Sequence, residues 1–421
     1  MGSAHSEAPS TQEVEVAEKR LADYRAIIGP AAHAELLALA SRLRGKRVAH
    51  VSATPYGGGV SELLHSLVPL QRDLGLDAHW FVLSGSPDFF EATKTIHNGL
   101  QGAPVVLSPD LLATYGHFNE LNAAEFEDEY DYVVVHDPQP APLVSLCDRK
   151  GAWIWRCHID LTNPNPSLLA MLRPHLEAYD AVLFSVAAYQ PREVSLRRVF
   201  AVPPAIDPTS AKNRHVYDEE REPILSGFEF DPDRPILSQV GRFDPWKDPQ
   251  GVIDAYRLVK EKVPDVQLLF VASMALDDPE GWEWFERSAR HAGEDEDIHF
   301  LTDLRGVHAL EVNVIQRETD VALAKSLREG FGLVVSESLW KRVPVVGGNV
   351  GGIPLQIRDG RYGYLVSSVR ETADRAVELL RAPERRKAMG KSGREYVRRH
   401  FLITRYLRDY LRIFLECRKG L

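Results

Sequence analysis

Two glutamates, Glu329 and Glu337, stand eight positions apart in the segment SLREGFGLVVSESLW. Between them Gly330 and Gly332 flank Phe331, so the backbone of this loop can approach a ligand without obstruction by side chains. The helix expected after Gly332 would direct its positive N-terminal end at a phosphate. Because carboxylates bind sugar hydroxyls, the segment predicts a sugar-nucleotide site, with a solvated helix face after an ordinary turn as the alternative.

Two cations, Arg242 and Lys247, follow a predicted strand in VGRFDPWKDP. Breaking a glycosidic bond to a nucleoside diphosphate develops negative charge on the leaving phosphate, and fixed cations lower that barrier without any proton transfer. Arg242 offers a fork of donors and Lys247 a point charge. The spacing therefore predicts a diphosphate site, and the alternative is a solvated loop before a capped helix.

Polar side chains also follow two hydrophobic strands of the N-terminal half. They are His136, Asp137 and Gln139 after one strand and Arg156, His158 and Asp160 after the next. A sugar acceptor needs such hydrogen-bonding groups. We expect Asp137 to orient a hydroxyl, Arg156 to contact a ring oxygen and His158 to stabilise the reacting centre. A lone histidine at a strand end is also common as a structural residue.

Three glycines, Gly57, Gly58 and Gly59, separate a predicted strand from a helix. No G-K-[ST] follows them and they do not match G-x-G-x-x-G, which disfavours a Walker loop and a dinucleotide site. We expect the backbone here, at Gly58 above all, to contact the acceptor or the donor pyrophosphate. Tight packing of the strand on the helix is the alternative.

A D-x-D-like string occurs at Asp295-Glu296-Asp297, where the many neighbouring acids favour a solvated turn over a metal site. We therefore predict no metal ligand and no cofactor. Arg242 and Lys247 would neutralise the charge that Mg²⁺ neutralises in other enzymes. No serine lies in a G-x-S-x-G turn, so a hydrolase triad is not supported.

Size and composition restrict the class of protein. With 421 residues, 44% of them hydrophobic, the chain is long enough for two domains with separate cores. The formal net charge of −10 disfavours a broad basic surface for nucleic acid. Three cysteines without C-x-x-C spacing disfavour a disulfide scaffold or a zinc site. No run of about twenty apolar residues occurs, and we expect a soluble cytoplasmic protein without a membrane partner.

The elements that must hold these groups alternate strand and helix along the chain, after two predicted helices that meet at Gly29-Pro30. Short apolar runs such as YVVVH and QLLFVA are typical of parallel strands buried on both faces. The fold class is α/β, with an N-terminal Rossmann-like acceptor domain over 1–208 and a C-terminal Rossmann-like donor domain over 209–399. A last helix, from about 400 to 421, would pack back on the first domain. Ligands bind beyond the carboxyl ends of such strands, which makes the cleft between two facing domains the expected site.

Taken together, E-G-F-G-x-x-x-x-E and P-V-V-G-G-x-x-G-G-I resemble the signature of retaining glycosyltransferases of family 4, which have the GT-B fold. Further blocks, among them HVSATPYGGGVSELLHSLVPL, WRCHIDLTNPNP and MALDDPEGWEWFE, resemble the trehalose synthases that transfer glucose from a nucleoside diphosphate glucose to free glucose. This resemblance extends over most of the chain. It implies a reversible, retaining transfer in which trehalose and UDP or ADP are the products.

The resemblance also implies roles for individual residues. Arg242 and Lys247 would bind the diphosphate, Glu329 the hydroxyls of the donor glucose and Glu337 the ribose. Residues expected to act in catalysis are Arg242, Lys247, Glu329 and His158. The backbone of Gly330, Phe331 and Gly332 would contact the donor, Thr302 and Leu304 would lie near the base, and the glucose subsites would be lined by Gly57, Gly58, Asp137, Arg156 and His158.

No carboxylate is recognisable as the nucleophile of a covalent intermediate, so we expect attack on the same face as the leaving group. The departing phosphate oxygen would accept the proton of the incoming hydroxyl. Two alternatives are another family 4 hexosyltransferase with a different sugar acceptor and a catalytically silent sugar-nucleotide binding protein. The nucleotide base cannot be read from the sequence, and a homodimer is expected only because two-fold assemblies are frequent.

Overall fold

A computed structural model describes residues 11–56, 58–127, 129–274 and 279–418. The chain forms two compact units. Unit 1 holds the described residues up to Pro204 together with those from Ile403 onward, and unit 2 is Ala205–Leu402.

Unit 1 is built on a seven-stranded sheet. Its strands are β1 (Gln12–Glu13), β2 (Arg47–Ser52), β3 (Asp77–Val82), β4 (Tyr132–His136), β5 (Ala152–Cys157), β6 (Ala181–Phe184) and β7 (Val199–Ala201). Its first helices are α1 (Arg25–Ile28), α2 (Pro30–Ser41), α3 (Gly58–Asp73), α4 (Pro87–Leu100), α5 (Pro109–Glu125), α6 (Leu143–Leu146) and α7 (Pro166–Ala178). The strand order is β1-β3-β2-β4-β5-β6-β7, and all neighbours are parallel except β1 with β3.

Unit 2 repeats the plan with six parallel strands. They are β8 (Ile236–Val240), β9 (Gln267–Ala272), β10 (Ile298–Thr302), β11 (Val321–Ala324), β12 (Val345–Gly348) and β13 (Gly363–Val366), in the order β10-β9-β8-β11-β12-β13. The helices are α8 (Asp218–Leu225), α9 (Pro249–Lys260), α10 (Pro279–Ala292), α11 (Ala309–Glu318), α12 (Leu333–Trp340), α13 (Ile353–Gln356), α14 (Val369–Leu380) and α15 (Pro383–His400). The last helix, α16 (Ile403–Arg418), belongs to unit 1.

The predicted parallel strands are confirmed, and their burial explains their composition. Every residue of β4, β5 and β9 is buried, including the polar residues His136, Arg156 and Gln267, because helices cover both faces of a parallel sheet. The ring of Phe414 on α16 stacks on that of Tyr132 in β4, with 4.5 Å between centroids. This contact attaches the C-terminal helix to unit 1.

The prediction of two helices before the first long strand is right for α2 and wrong for much of the preceding segment. Only the 3₁₀ turn Leu21–Tyr24 and the single turn α1 are helical there. Gln12 and Glu13, just before the predicted helices, pair antiparallel with β3, and the Glu13 carboxylate accepts a hydrogen bond from His79 at 2.8 Å. Val14 N continues this edge contact by donating to Trp80 O at 2.7 Å, so the predicted helical segment starts in extended backbone.

The strand order places a switch point in each sheet. In unit 1 the chain leaves β2 towards β3 on one side of the sheet and leaves β4 towards β5 on the other side. In unit 2 the connections from β8 to β9 and from β11 to β12 diverge in the same way. Loops at the carboxyl ends of these strands diverge and leave room for a ligand. Asp137, Lys247 and Glu329 follow three of these strands and therefore lie at the switch points. Other predicted site residues do not: Arg156 and His158 lie at the end of β5, and Thr302 ends the edge strand β10.

Two further observations concern the described residues. Cys147, Cys157 and Cys417 are all free thiols. No helix in the described ranges is long and apolar enough to cross a bilayer.

Gly390 on α15 lies where any side chain would collide with the backbone after α12. A Cβ built there would be 1.8 Å from the carbonyl oxygen of Arg342. We predict that Gly390→Ala destabilises the protein by about 1–3 kcal/mol, because the two helices must separate. The matched control is Gly116→Ala on α5, where a Cβ meets nothing within 4 Å and alanine should stabilise by about 0.5–1 kcal/mol. Urea unfolding followed by circular dichroism measures both, and a midpoint for Gly390→Ala at or above that of the control would contradict this packing.

Candidate active site

Lys247 and Glu329 are brought together by two neighbouring strands of unit 2. Lys247 lies in the loop after β8 and Glu329 in the loop after β11, and these strands pair in parallel. Lys247 Nζ forms an ion pair with Glu329 Oε2, to which Ser326 Oγ also donates at 3.3 Å. The two side chains are 23% and 13% exposed, so the pair is ordered by its surroundings and still reachable by a ligand.

Further contacts hold the two loops against each other. Leu327 N donates to Trp246 O at 2.7 Å, and Lys325 forms an ion pair with Asp248. Lys325 and Asp248 were not among the predicted site residues. A signal for Lys325 was present, because it directly follows β11 at the edge of the sheet where the other cations lie.

Asp244 links the predicted cations electrostatically. Its Oδ1 accepts a hydrogen bond from Lys247 N at 2.9 Å and so caps the 3₁₀ turn Pro245–Lys247. Burial raises the pKa of Asp244, while the charges of Lys247 and Arg242 oppose that rise. Arg242 itself is exposed. Arg242, Lys247 and Glu329 all act electrostatically on Asp244, and we call these four residues the charged cluster.

The glycine-flanked loop has the expected form. Gly332 has a φ of 79°, and α12 begins at the next residue. The side chain of Phe331 is buried, with its ring centroid 5.6 Å from that of Phe401, so it is the backbone of this loop that can face a ligand. A Cβ on Gly352 would lie 2.7 Å from Phe331 Cα. Gly352, in the motif P-V-V-G-G-x-x-G-G-I, is therefore needed for the close packing of this loop.

Glu337 occupies a different environment from Glu329. It is buried on α12, with Oε1 3.0 Å from Lys212 Nζ and Oε2 accepting from Gln316 Nε2 at 3.5 Å. Burial alone would raise the pKa of Glu337, but Lys212 and Lys341 outweigh it and hold the pKa below its ordinary value. Its ion pair is with Lys212, whereas that of Glu329 is with Lys247. Its role at the ribose stays a prediction.

Thr302 and Leu304 line a cavity of about 740 Å³ beside the edge strand β10. Thr302 is buried at the end of the strand, and Leu304 is exposed in the following 3₁₀ turn. The rings of Phe285 and Phe300 also line this cavity and pack edge to face, 5.6 Å apart. Glu229, Glu296, His299 and Arg305 also line the cavity, so its walls are part aromatic and part charged. The rings suit stacking on a flat base, and the assignment of the base to this segment stays a prediction.

In unit 1 the structure joins Asp137 and His158 after β4 and β5. Asp137 is buried with a φ of 64°, and its Oδ1 accepts a hydrogen bond from His158 N at 2.7 Å. Burial raises the pKa of the Asp137 carboxyl and lowers the pKa of the His158 imidazole. His158 is half-buried and neutral, which suits hydrogen bonding to a sugar hydroxyl.

Arg156 and Gln139 contribute buried polar atoms to the same end of the sheet. The side chain of Arg156 is fully buried, and only its Nη2 donates, at 3.3 Å to Ser185 Oγ. Its Nε and Nη1, like Gln139 Oε1, have no hydrogen-bond partner among the described residues. Such atoms are costly to leave unpaired. Contact of either residue with an acceptor stays a prediction.

Gly58, which was predicted to contact a ligand, lies at the start of α3. Gly58 is its first residue and has a φ of 76°. Gly57 lies outside the described residues. Gly58 follows the carboxyl end of β2 at the switch point of unit 1, and its contact with a ligand stays a prediction.

The acidic string Asp295-Glu296-Asp297 is an ion-paired turn. Asp295 lies 2.6 Å from Lys260 Nζ, and Asp297 lies 2.7 Å from Arg234 Nη2. Across the ranges that the structure describes, no three histidine, cysteine, aspartate or glutamate residues are grouped so as to hold a metal ion.

The chain matches two models of known protein families. The model of the trehalose synthase N-terminal domain matches residues 50–191, and that of glycosyl transferases group 1 matches residues 220–396. The chain is 48% identical to a trehalose synthase of Thermococcus litoralis over 395 residues, which are 93% of this chain and 96% of that one.

Solved structures share the fold at low identity. An Escherichia coli structure described as trehalose-6-phosphate bound with UDP-2-fluoro glucose matches with a TM-score of 0.68 and 15% identity, covering 87% of this chain and 98% of that one. An α,α-trehalose-phosphate synthase (UDP-forming) from Burkholderia xenovorans, in complex with glucose-6-phosphate, matches with a TM-score of 0.69 and 15% identity over 88% and 100%. The chain has two Rossmann-like units, matches both family models in sequence order, and is 48% identical to a trehalose synthase over nearly its whole length. It is therefore a GT-B glycosyltransferase and belongs to the trehalose synthase family.

Proposed function

We propose that this glycosyltransferase moves glucose from a nucleoside diphosphate glucose to free glucose, and so forms trehalose and releases the nucleoside diphosphate. The observation that carries the proposal is the ion pair between Lys247 and Glu329 at the switch point of unit 2. It supports a site where a cation for phosphate and a carboxylate for sugar hydroxyls are held side by side. The solved E. coli structure was bound with UDP-2-fluoro glucose, which is a molecule of this chemistry.

In this proposal Lys247 and Arg242 stabilise the diphosphate as it leaves. Charge develops on the phosphate oxygen in the transition state, and cations that are already ordered need no reorganisation to stabilise it. Glu329 accepts hydrogen bonds from hydroxyls of the donor glucose and keeps Lys247 in place before the donor arrives. The contact of Leu327 N with Trp246 O keeps both loops at a constant separation.

The acceptor glucose is assigned to the unit 1 residues Asp137, Gln139, Arg156 and His158. Attack occurs on the face that the phosphate leaves, so the configuration at the anomeric carbon is retained. The phosphate oxygen accepts the proton of the attacking hydroxyl, and no protein carboxylate is required as nucleophile. The reaction is reversible, with trehalose and UDP or ADP as substrates of the reverse direction.

A product assay tests the proposal and separates it from its rivals. UDP-glucose or ADP-glucose is incubated with glucose or with glucose 6-phosphate, and NMR identifies the disaccharide and its anomeric configuration. We expect α,α-trehalose from free glucose. Trehalose 6-phosphate as the main product would assign the chain the acceptor that is bound in the Burkholderia structure. No transfer with any pair, together with tight donor binding, would favour the silent binding protein.

The same assay with a chelator tests the proposal that Arg242 and Lys247 replace a divalent cation. We expect the rate to stay within about twofold in the presence of EDTA, because fixed side-chain charges stabilise the leaving diphosphate. Loss of activity that Mg²⁺ restores would show that a metal ion takes part.

A further inference from the structure

A continuous row of hydrogen-bonded rings leads from α3 to His158 through the sheet of unit 1. His50 Nε2 lies 3.0 Å from Gln71 Oε1, and His50 Nδ1 lies 3.1 Å from His136 Nε2. His136 Nδ1 lies in turn 3.1 Å from His158 Nε2. The three residues come from β2, from β4 and from the position after β5. We name Gln71, His50, His136 and His158 the histidine relay.

Three members of the relay are buried, His158 is half-buried, and the imidazoles are neutral. Gln71 and His50 are fully buried and His136 is nearly so. Burial lowers the pKa of His50 to about 4 and lowers those of His136 and His158, with the charge of Arg156 acting on the last two in the same direction. The ring of Tyr410 packs on His50 from α16, with centroids 5.9 Å apart.

In a row of hydrogen-bonded neutral imidazoles, every ring donates towards the same end of the row. Each neutral imidazole carries one N–H and one lone pair, so three rings supply three N–H groups for three contacts. The structure places Gln71 Oε1 beside His50 Nε2 and leaves the buried Gln71 Nε2 without a partner among the described residues. In this amide orientation Gln71 accepts, so the proton of His50 is on Nε2. His50 Nδ1 then accepts from His136 Nε2, and His136 Nδ1 accepts from His158 Nε2. His158 is left with its proton inside the relay and its lone pair on Nδ1.

We propose that Gln71, acting through His50 and His136, is a positioning residue that fixes His158 as the tautomer protonated on Nε2, so that Nδ1 accepts a hydrogen bond from a hydroxyl of the bound sugar. The assignment of a sugar to His158 rests on the proposed function. The geometry of the relay does not, because all its contacts lie within unit 1. A His158 that exchanged tautomers would carry its proton on Nδ1 for part of the time, and in that tautomer the hydroxyl would lack this acceptor.

The first test reads the tautomer directly. Protein labelled with ¹⁵N-histidine is studied by long-range ¹H–¹⁵N correlation, and the His158 signals are assigned by their absence in His158→Gln. We expect the His158 Nδ1 shift of an unprotonated nitrogen and the Nε2 shift of a protonated one. A proton on Nδ1 would reverse the relay and overturn the proposal, whether or not the protein makes trehalose.

The second test removes the acceptor at the far end. In Gln71→Met the direction is no longer imposed, so we expect His158 to populate both tautomers. We expect kcat to fall in proportion to the fraction of His158 still protonated on Nε2, about twofold for an equal mixture. Leu67→Met, also buried on α3, is the matched control and should change neither measurement. An unchanged tautomer in Gln71→Met, or a mixed tautomer with unchanged kcat, would each overturn the role of Gln71. If no substrate pair is turned over, the tautomer measurement still decides the relay, and the proposed function fails separately.

Discussion

Replacing Lys247 with alanine is expected to lower turnover by a factor of about 10² to 10³, the range found when one fixed donor to developing negative charge is removed. Lys247 is ordered by Glu329 and by the capped turn around Asp244, so its charge is in place before the diphosphate begins to leave. The Lys247 charge stabilises the transition state more than it stabilises the bound sugar. The affinity for trehalose should therefore change far less than kcat.

Initial rates with saturating donor and acceptor measure this effect, and competition with trehalose measures the binding. Lys262→Ala is the matched control, because Lys262 is a lysine of unit 2 whose ion pair with Asp374 is at the surface. It should leave both values unchanged. A Lys247→Ala variant with parental turnover would remove this lysine from the mechanism, and the same experiment with Arg242→Ala applies that criterion to the exposed member of the cluster.

Replacing Glu329 with glutamine is expected to lower kcat/KM by about a hundredfold. The carboxylate accepts charge-assisted hydrogen bonds, and an amide of the same shape offers one acceptor oxygen and two donors that face the wrong groups. The substitution also leaves Lys247 without its ion-pair partner at a half-buried position. Lys247 would then lose part of its order, which adds to the loss from the sugar contacts.

A double-mutant cycle of Lys247→Met and Glu329→Gln measures that coupling. Because the residues are in direct contact, we expect the two losses of transition-state free energy to sum to more than the loss in the double variant, by at least about 0.5 kcal/mol. Strict additivity would mean that the ion pair has no part in arranging the site. Thermal unfolding of all three variants shows whether any loss of activity reflects loss of the folded state.

Much of the site was predictable because its signals are local. Cations after the strand that becomes β8 and a carboxylate in a glycine-flanked loop after β11 were recognisable without any tertiary information, and the ion pair of Lys247 with Glu329 brings them together. The environment of Glu337 was not predictable. Its partner Lys212 is 125 positions away in sequence (337 − 212), and nothing near either residue signals the pair.

The sequence by itself determined the fold class. Short apolar runs that alternate with amphipathic helices and polar loops are compatible with few architectures other than parallel sheets covered by helices on both faces. It also predicted which loops form the candidate site, since polar residues at strand ends and glycine turns are local features of the chain. Tertiary structure alone decided which distant residues meet: β1 on β3, Lys325 on Asp248, and the row of Gln71, His50, His136 and His158. The physical reason is that strand order and register set these contacts. His50 reaches His136 because β2 lies beside β4, although the two strands are separated in sequence by β3 and three helices.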